Sequence, residues 1–568
     1  MKCLPVIFVL LALTVTPDGY GQPLRHGDDI RETVRRYGQA EVIISYPGFG
    51  LMTQIAGRFS VTSCNGTEAV LCLSHIDAED FITTGRDYKL IVPEPRKGFF
   101  TASSAAEAML WQSYPTWKHY DTIMHKIAEH WPEVCLLDTI GFSVQGRAVL
   151  VLKITDNLSS DEKKPAVMLS SSIHGDEPAG FVMLMRLAEY IASQSPAGGV
   201  VSDLVSGLEI WINPLANPDG MYRDNDTMIN PVRANSNGYD LNRNFPDPEV
   251  TFSPPLQIET LDMMAFMEEK RFALSANLHS GAEVVNYPWD KWTRLHADDE
   301  WFNDISRRYA DTVHLYSEPG YMSYLDNGVT RGWEWYIVKG GRQDFVTWGL
   351  GGREVTIEID DIKMTPGSNL ETLWEWNHRS LIRYMAEALS GVRGTVTDAV
   401  TGDPLRARVF IERHDVDSSH TWSDNLTGEY YRFLAPGTYT FTFSSSGYVT
   451  YSFEAVLEGW NSLEIKDVQL QKPEDFYPAP PETGLLIWPV PSGGTLNIML
   501  PLSVTGDVTV TLTGTTGAVL TSFRTTAYQG IPVVCDCSAM PPGLLIVSVR
   551  KEPDGPLLRG KAVITRLK

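Results

Sequence analysis

The sequence is short of cysteine, short of positive charge and, beyond its first residues, without a long apolar run. Six cysteines in 568 residues are too few for a scaffold built on disulfides. Cys3 falls in the apolar leader, which leaves an odd set: Cys64, Cys72, Cys135, Cys535 and Cys537. Cys64 and Cys72 are spaced either to pair across a hairpin or to remain free buried thiols. Cys535 and Cys537 alternate in a strand-like run, fall short of a tetrahedral zinc site by themselves, and read as packing residues. Lys and Arg number 47 against 70 Asp and Glu, a formal charge of −23. That balance excludes the basic footprint of a nucleic-acid binder. No phosphate loop or dinucleotide glycine motif is present, and "GFSVQG" misses the spacing of a nucleophile elbow. The leader itself has Lys2 followed by apolar Cys3 to Val15, too short for a bilayer span. It reads as an export signal over 1–21, cut near Gly19-Tyr20-Gly21. The mature chain is then expected to be secreted or attached to the cell surface, without a transmembrane span.

What is present is patterned in blocks. Residues 22–105 hold β-type runs such as "AEVIISYP" and "YKLIVPEP", and read as a β-rich region, either a pro-segment or an accessory domain. From 106 to 390 apolar strand-like runs ("AVLVLKI", "PAVMLSS", "LEIWINP", "FALSANLH", "REVTIEI") alternate with helical periods, which argues an α/β domain with a mixed sheet flanked by helices. At 391 the texture changes to short alternating strands with Gly, Pro and Asp turns, a β-sandwich pattern over 391–471. A Pro-rich linker covers 472–485. Residues 486–568 are again all-β, giving two C-terminal sandwich domains.

One stretch in the α/β block invites a chemical reading. "MLSSSIHGDEPAGFVML" places His174 and Glu177 three apart, where an apolar strand ends and a helix begins, with Pro178 suited to a first helical position. Alone, His174 is a turn histidine and Glu177 a carboxylate meeting a helix dipole. The same short pattern recurs at His130 and Glu133 ("HWPE") and nearly at His26 and Asp29 ("HGDD"), so it decides nothing by itself. His130 ends a periodic helix before Pro132 and reads as a decoy. A turn at a strand's carboxyl end, however, is where α/β sheets place ligands. A zinc hydrolase needs three His or carboxylate ligands and an open fourth position. His279, at the end of "FALSANLH", offers the third.

The set "HGDE", "NPLANPDG", "RANSNGYDLNRNFP", "SANLHSGAEVVNYPWD", "WYIVKGGRQDF" and "EVTIEI" resembles the zinc metallocarboxypeptidases over about 110–390, in particular the branch of carboxypeptidases N, E and D. Residues after 391 resemble the transthyretin-like sandwich of that branch. The C-terminal part, with "WPVPSGGTLNI" and "GLLIVSVR", resembles the sorting domain of type IX secretion cargo in Bacteroidetes. The resemblance implies an exported enzyme that releases the C-terminal residue of peptides and proteins, with one zinc ion held by His174, Glu177 and His279. It places Asp240 behind a zinc-bound imidazole and Arg233 on the scissile carbonyl. Asn242 and Arg243 fall on the substrate's terminal carboxylate, Tyr336 on a mobile tyrosine position, and Glu358 on the catalytic glutamate. Glu354, four residues earlier in the same strand, competes for the base role, and the motif favours Glu358.

In that branch Lys or Arg is released, and Asp290 and Gln343 match positions that contact the basic side chain. Arg342 stands where the branch usually has Met and sets a cation against that preference. The Cys pair that commonly follows the catalytic strand is replaced by Asp360 and Asp361. Two rivals stand beside this reading: a hydrolase of cell-wall peptides or an amidase of the aspartoacylase kind, and an inactive peptide-binding homologue. Export machinery reading the C-terminal domain is the expected partner besides the substrate.

Overall fold

The computed structural model describes residues 26–93, 101–159, 164–248, 254–473, 478–492, 494–553 and 555–565. The expected export signal, 1–21, lies outside them, as does part of the Pro-rich linker.

The N-terminal block is an antiparallel sheet of β1 (Gln39–Ser45), β2 (Ser60–Cys64), β3 (Glu68–Ser74) and β4 (Lys89–Ile91), in the order β2-β3-β1-β4. Val42 and Ile44 of β1 are buried on alternate positions, as a half-covered strand requires. Three helices accompany the strands, Asp28–Tyr37, Phe49–Ala56 and Ala78–Thr83, so this block is as helical as it is β. The first carries acidic residues in its opening turn and arginines in its last, matching the helix dipole. Cys64 and Cys72 are free.

The central sheet has eight strands: β5 (Cys135–Phe142), β6 (Ala148–Ile154), β7 (Ala166–Ser171), β8 (Glu209–Asn213), β9 (Leu274–His279), β10 (Ala282–Tyr287), β11 (Val329–Arg331) and β12 (Arg353–Asp360), ordered β11-β10-β12-β9-β7-β8-β6-β5. It is mixed. β8, β7, β9 and β12 run parallel, while β5 and β6 at one edge and the β10–β12 pair are antiparallel. β7, β9 and β12 are buried at every position, because helices cover both faces. Val167 and Leu169 pack with helices Trp117–His130, Ala179–Gln194, Asp299–Tyr316 and Leu370–Ala386; Met168 packs on the other face with Ile258–Lys270.

Residues Gly391–Leu470 form two small sheets around their own core of Val396, Val409, Phe441 and Phe443. Residues Leu486–Ile564 form a three- and a four-stranded sheet around a further core that takes in Cys535 and Cys537. Among the described residues no helix is long and apolar enough to cross a membrane.

Candidate functional site

Parallel neighbours end on the same side, so β7, β9 and β12 deliver their carboxyl ends to one edge. His174 and Glu177 lie in the turn after β7, His279 is the last residue of β9, and Glu358 sits opposite it in β12. The turn is tight. A Cβ on Gly175 would lie 2.1 Å from the Gly220 backbone, so "HGDE" needs its glycine for packing. Asn217 caps the short helix Pro218–Met221 and donates to the carbonyls of Ile173 and Arg233. One amide thereby ties the His174 turn to the loop that carries Arg233.

The three residues converge. Glu177 Oε1 lies 2.9 Å from His174 Nδ1, Glu177 Oε2 2.8 Å from His279 Nδ1, and the two Nδ1 atoms are 3.1 Å apart. All three side chains are buried and could hold one cation. Donors that share a tetrahedral zinc at 2.0–2.2 Å sit about 3.3 Å from one another, so the observed spacing fits such an ion. Burial lowers the His279 pKa to about 4, which keeps the ring neutral, as a ligand must be. Burial alone would raise Glu177, but His174 and His279 hold it well below the usual carboxylate range.

The supporting groups fall around this triad. Asp240 Oδ1 is 3.1 Å from His174 Nε2 and also caps Asn242 N. Arg233 donates from Nε to Asp240 Oδ2 at 2.8 Å, and its Nη1 reaches Glu177 Oε1 at 3.2 Å. Asn242 accepts from Arg342 N through Oδ1, and Arg243 donates to the carbonyls of Asn242 and Val61 while its Nε, buried, has no partner. His174, Glu177, His279, Arg233, Arg243 and Glu358 line one cavity of about 230 Å³, with Asn242, Asp290 and Tyr336 in the same wall. Glu358 Oε2 has no partner there, and burial with Glu177 nearby pushes its carboxyl well up.

Glu354 plays another part. It is fully buried and accepts two bonds from Arg342 at 2.9 Å and one from Ser275. The Arg342 cation is thus turned away from the cavity and neutralised, although its sequence position sets it beside Asp290. Gln343 does not line the cavity. It stands behind Asp290, donating to its Oδ1 at 2.9 Å. Burial together with Asp344 pushes the Asp290 carboxyl well above its ordinary range. His130, Glu133 and His26 are all exposed and do not line this cavity.

Several participants have no signal in the sequence. Asp344 accepts the backbone N–H groups of Asp290 and Lys291 and so fixes that turn. Asp176, unassigned within "HGDE", pairs with Lys363 at 2.8 Å and accepts from Gln39. Ser60, Val61 and Glu41 of the N-terminal sheet reach Asp240, Arg243 and Lys363.

Residues 120–380 match the zinc carboxypeptidase family and residues 391–471 the carboxypeptidase regulatory-like domain. Carboxypeptidase D of Homo sapiens is 34% identical over 361 residues, covering 61% of this chain and 26% of that protein. Carboxypeptidase E of Caenorhabditis elegans is 31% identical over 409 residues, 62% of this chain and 84% of that one. The carboxypeptidase N catalytic chain of Rattus norvegicus is 30% identical over 380 residues, 59% and 82% respectively. The chain spans only 25–31% of the length of the carboxypeptidase D proteins it matches.

Proposed function

Because this chain belongs to the zinc carboxypeptidase family, we propose that it releases the C-terminal residue of peptides and proteins, with Lys or Arg preferred. The observation that carries this is the cavity that joins the His174-Glu177-His279 triad, Arg233 and Glu358 to Arg243 and Asn242. One zinc ion held by His174, Glu177 and His279 would supply a Lewis acid and an acidified water, whose pKa such an ion lowers towards ~7. Arg243 and Asn242 hold the terminal carboxylate; a planar guanidinium suits two oxygens at once, and the free Nε is available for it. Arg233 donates to the carbonyl oxygen as it gains charge. Glu358 takes the proton of the attacking water at Oε2 and returns it to the leaving amine. Asp240 orients His174 from behind. The phenol of Tyr336 lies in the same wall, beside the path of the substrate.

The basic preference rests on Asp290, which Gln343 and Asp344 hold in place, and on the pairing of Arg342 with Glu354. We read the N-terminal sheet as a pro-segment seated over the cavity, because Val61 and Ser60 already use Arg243 and Arg233. We also read the chain as exported through its leader, with residues after 486 serving a sorting step of the type IX kind.

The test is residue release from peptides ending in Lys, Arg, Phe or D-Ala, with and without chelator, beside Glu358→Gln. Lys and Arg should be released, chelation should abolish release and zinc restore it, and Glu358→Gln should lower turnover roughly 10²–10⁴-fold. Release of nothing, before and after proteolytic removal of the N-terminal sheet, refutes the peptidase reading. Release of Phe ahead of Lys and Arg refutes the basic pocket, and D-Ala ahead of all of them favours a cell-wall hydrolase.

A further inference from the structure

The N-terminal sheet crosses the cavity with two different strands, and each meets a different charged group. Val61 in β2 gives its carbonyl to Arg243 Nη2 at 3.0 Å. Glu41 in β1 lies 2.8 Å from Lys363 Nζ. One strand, β3, separates them, so the two contacts lie about 10 Å apart at ~4.8 Å per strand. The metal triad sits between. Asp176, within the His174–Glu177 turn, holds Lys363 on one side. Asp240, against His174 Nε2, caps the segment of Asn242 and Arg243 on the other. Lys363 therefore stands at the end of the cavity away from the carboxylate clamp, in the same wall as Glu358 and Ser280.

Lys363 does not depend on Glu41 for its position. Asp176 is buried and fixes the ammonium from within the central domain, with Gln39 donating to the same carboxylate oxygen. The Lys363 side chain is 23% exposed and Glu41 28%, so this contact lies at the rim, where another carboxylate could replace it. A bracing ion pair for the N-terminal sheet would need no lysine inside the cavity wall. Extended chain advances about 3.3 Å per residue. About 10 Å from the terminal carboxylate is therefore the reach of a side chain one or two residues before the last.

We propose that Lys363 recognises an acidic side chain one or two residues before the C-terminal residue of the peptide substrate, and that Glu41 occupies its place in the chain described here. This rests on the peptidase reading above. The substrate class is peptides that end in a basic residue preceded closely by Glu or Asp.

The experiment uses the full zinc-loaded chain and four acetylated peptides, Ala-Glu-Lys, Ala-Gln-Lys, Glu-Ala-Lys and Gln-Ala-Lys. At one of the two positions kcat/KM for Glu should exceed that for Gln roughly tenfold, the worth of one charge-assisted hydrogen bond, with the difference in KM. Added salt should shrink the ratio. Lys363→Met should bring it to about one, Lys363→Arg should keep it, and Lys363→Gln, which can still donate to Asp176, should lose it like Met. Zinc content per chain reports whether each variant is folded. A ratio near one in the wild type, or a ratio that survives Lys363→Met and Lys363→Gln, overturns the proposal while Lys release from the Gln peptides leaves the peptidase reading standing. No release from any of the four, before and after proteolytic removal of the N-terminal sheet, refutes both.

Discussion

The central domain has a neighbour at each end of its chain, and the two are seated by different chemistry. Towards the sandwich after Gly391, Arg432 bridges Asp298 and Asp415, Arg353 adds a bond to Asp298 and another to the Ser419 carbonyl, and Trp301 stacks on Phe433 at 5.4 Å. The Arg432 and Asp298 side chains are 1% and 0% exposed. None of these residues lines the cavity. Towards the N-terminal sheet, the charged side chains of the central domain that bond its strands include Asp176, Arg233, Asp240, Arg243 and Lys363, in the cavity or directly behind it. A buried cation shared between two buried carboxylates cannot let go without large cost. Groups that a substrate can claim are partners by competition. On the proposed reading the sandwich is a brace and the N-terminal sheet an occupant.

The brace should break hardest. Arg432→Ala leaves Asp298 and Asp415 buried without their shared counter-charge. It should cost about 3–5 kcal/mol in a denaturant unfolding series. Loss of under about 1 kcal/mol would mean that the sandwich is held by its apolar contacts, and the contrast with the N-terminal seat would fail.

The second effect is a pH dependence. Burial disfavours the Asp415 carboxylate, but Arg432 more than offsets this and lowers its pKa to about 2. An unfolded Asp titrates near about 3.9. A depressed folded pKa gives stability that is fully present above the unfolded value and is lost as pH falls through the folded one. The stability gap between wild type and Asp415→Asn should therefore be constant from pH 7 to about 5 and close between about 4 and 2. A gap that persists at pH 2 would show that the asparagine disrupts packing instead.

How far the sequence reveals these features follows the same division. His174, Glu177 and His279 are legible because they lie at or just after the carboxyl end of an apolar strand, and a parallel sheet must bring such ends together. Glu358 and Glu354 share a strand; the motif favours Glu358, and the fold gives the physical reason by setting Arg342 against Glu354. Gln343 sits behind Asp290, a matter of depth that no motif records. The N-terminal helices escape notice because they are only six to ten residues long, and the first buries just Ile30 and Thr33. The seat of that sheet is invisible for a plainer reason: Glu41 and Lys363 are 322 residues apart, and nothing in either segment names the other.

The smallest effect belongs to that seat, and it tests the occupant directly. The Lys363–Glu41 pair is partly exposed, so a contribution of about 0.2–1 kcal/mol is expected. Glu41→Gln should then loosen the sheet only slightly and raise turnover of a C-terminal Lys peptide by at most about fivefold, without changing the melting of the central domain. Added salt should raise turnover of the wild type in the same sense, because it screens the same pair, and should have less effect on the variant. A fall in turnover for Glu41→Gln would mean that the N-terminal sheet completes the site and does not compete for it. The two neighbours of the central domain would then both be braces, one of them built into the cavity wall.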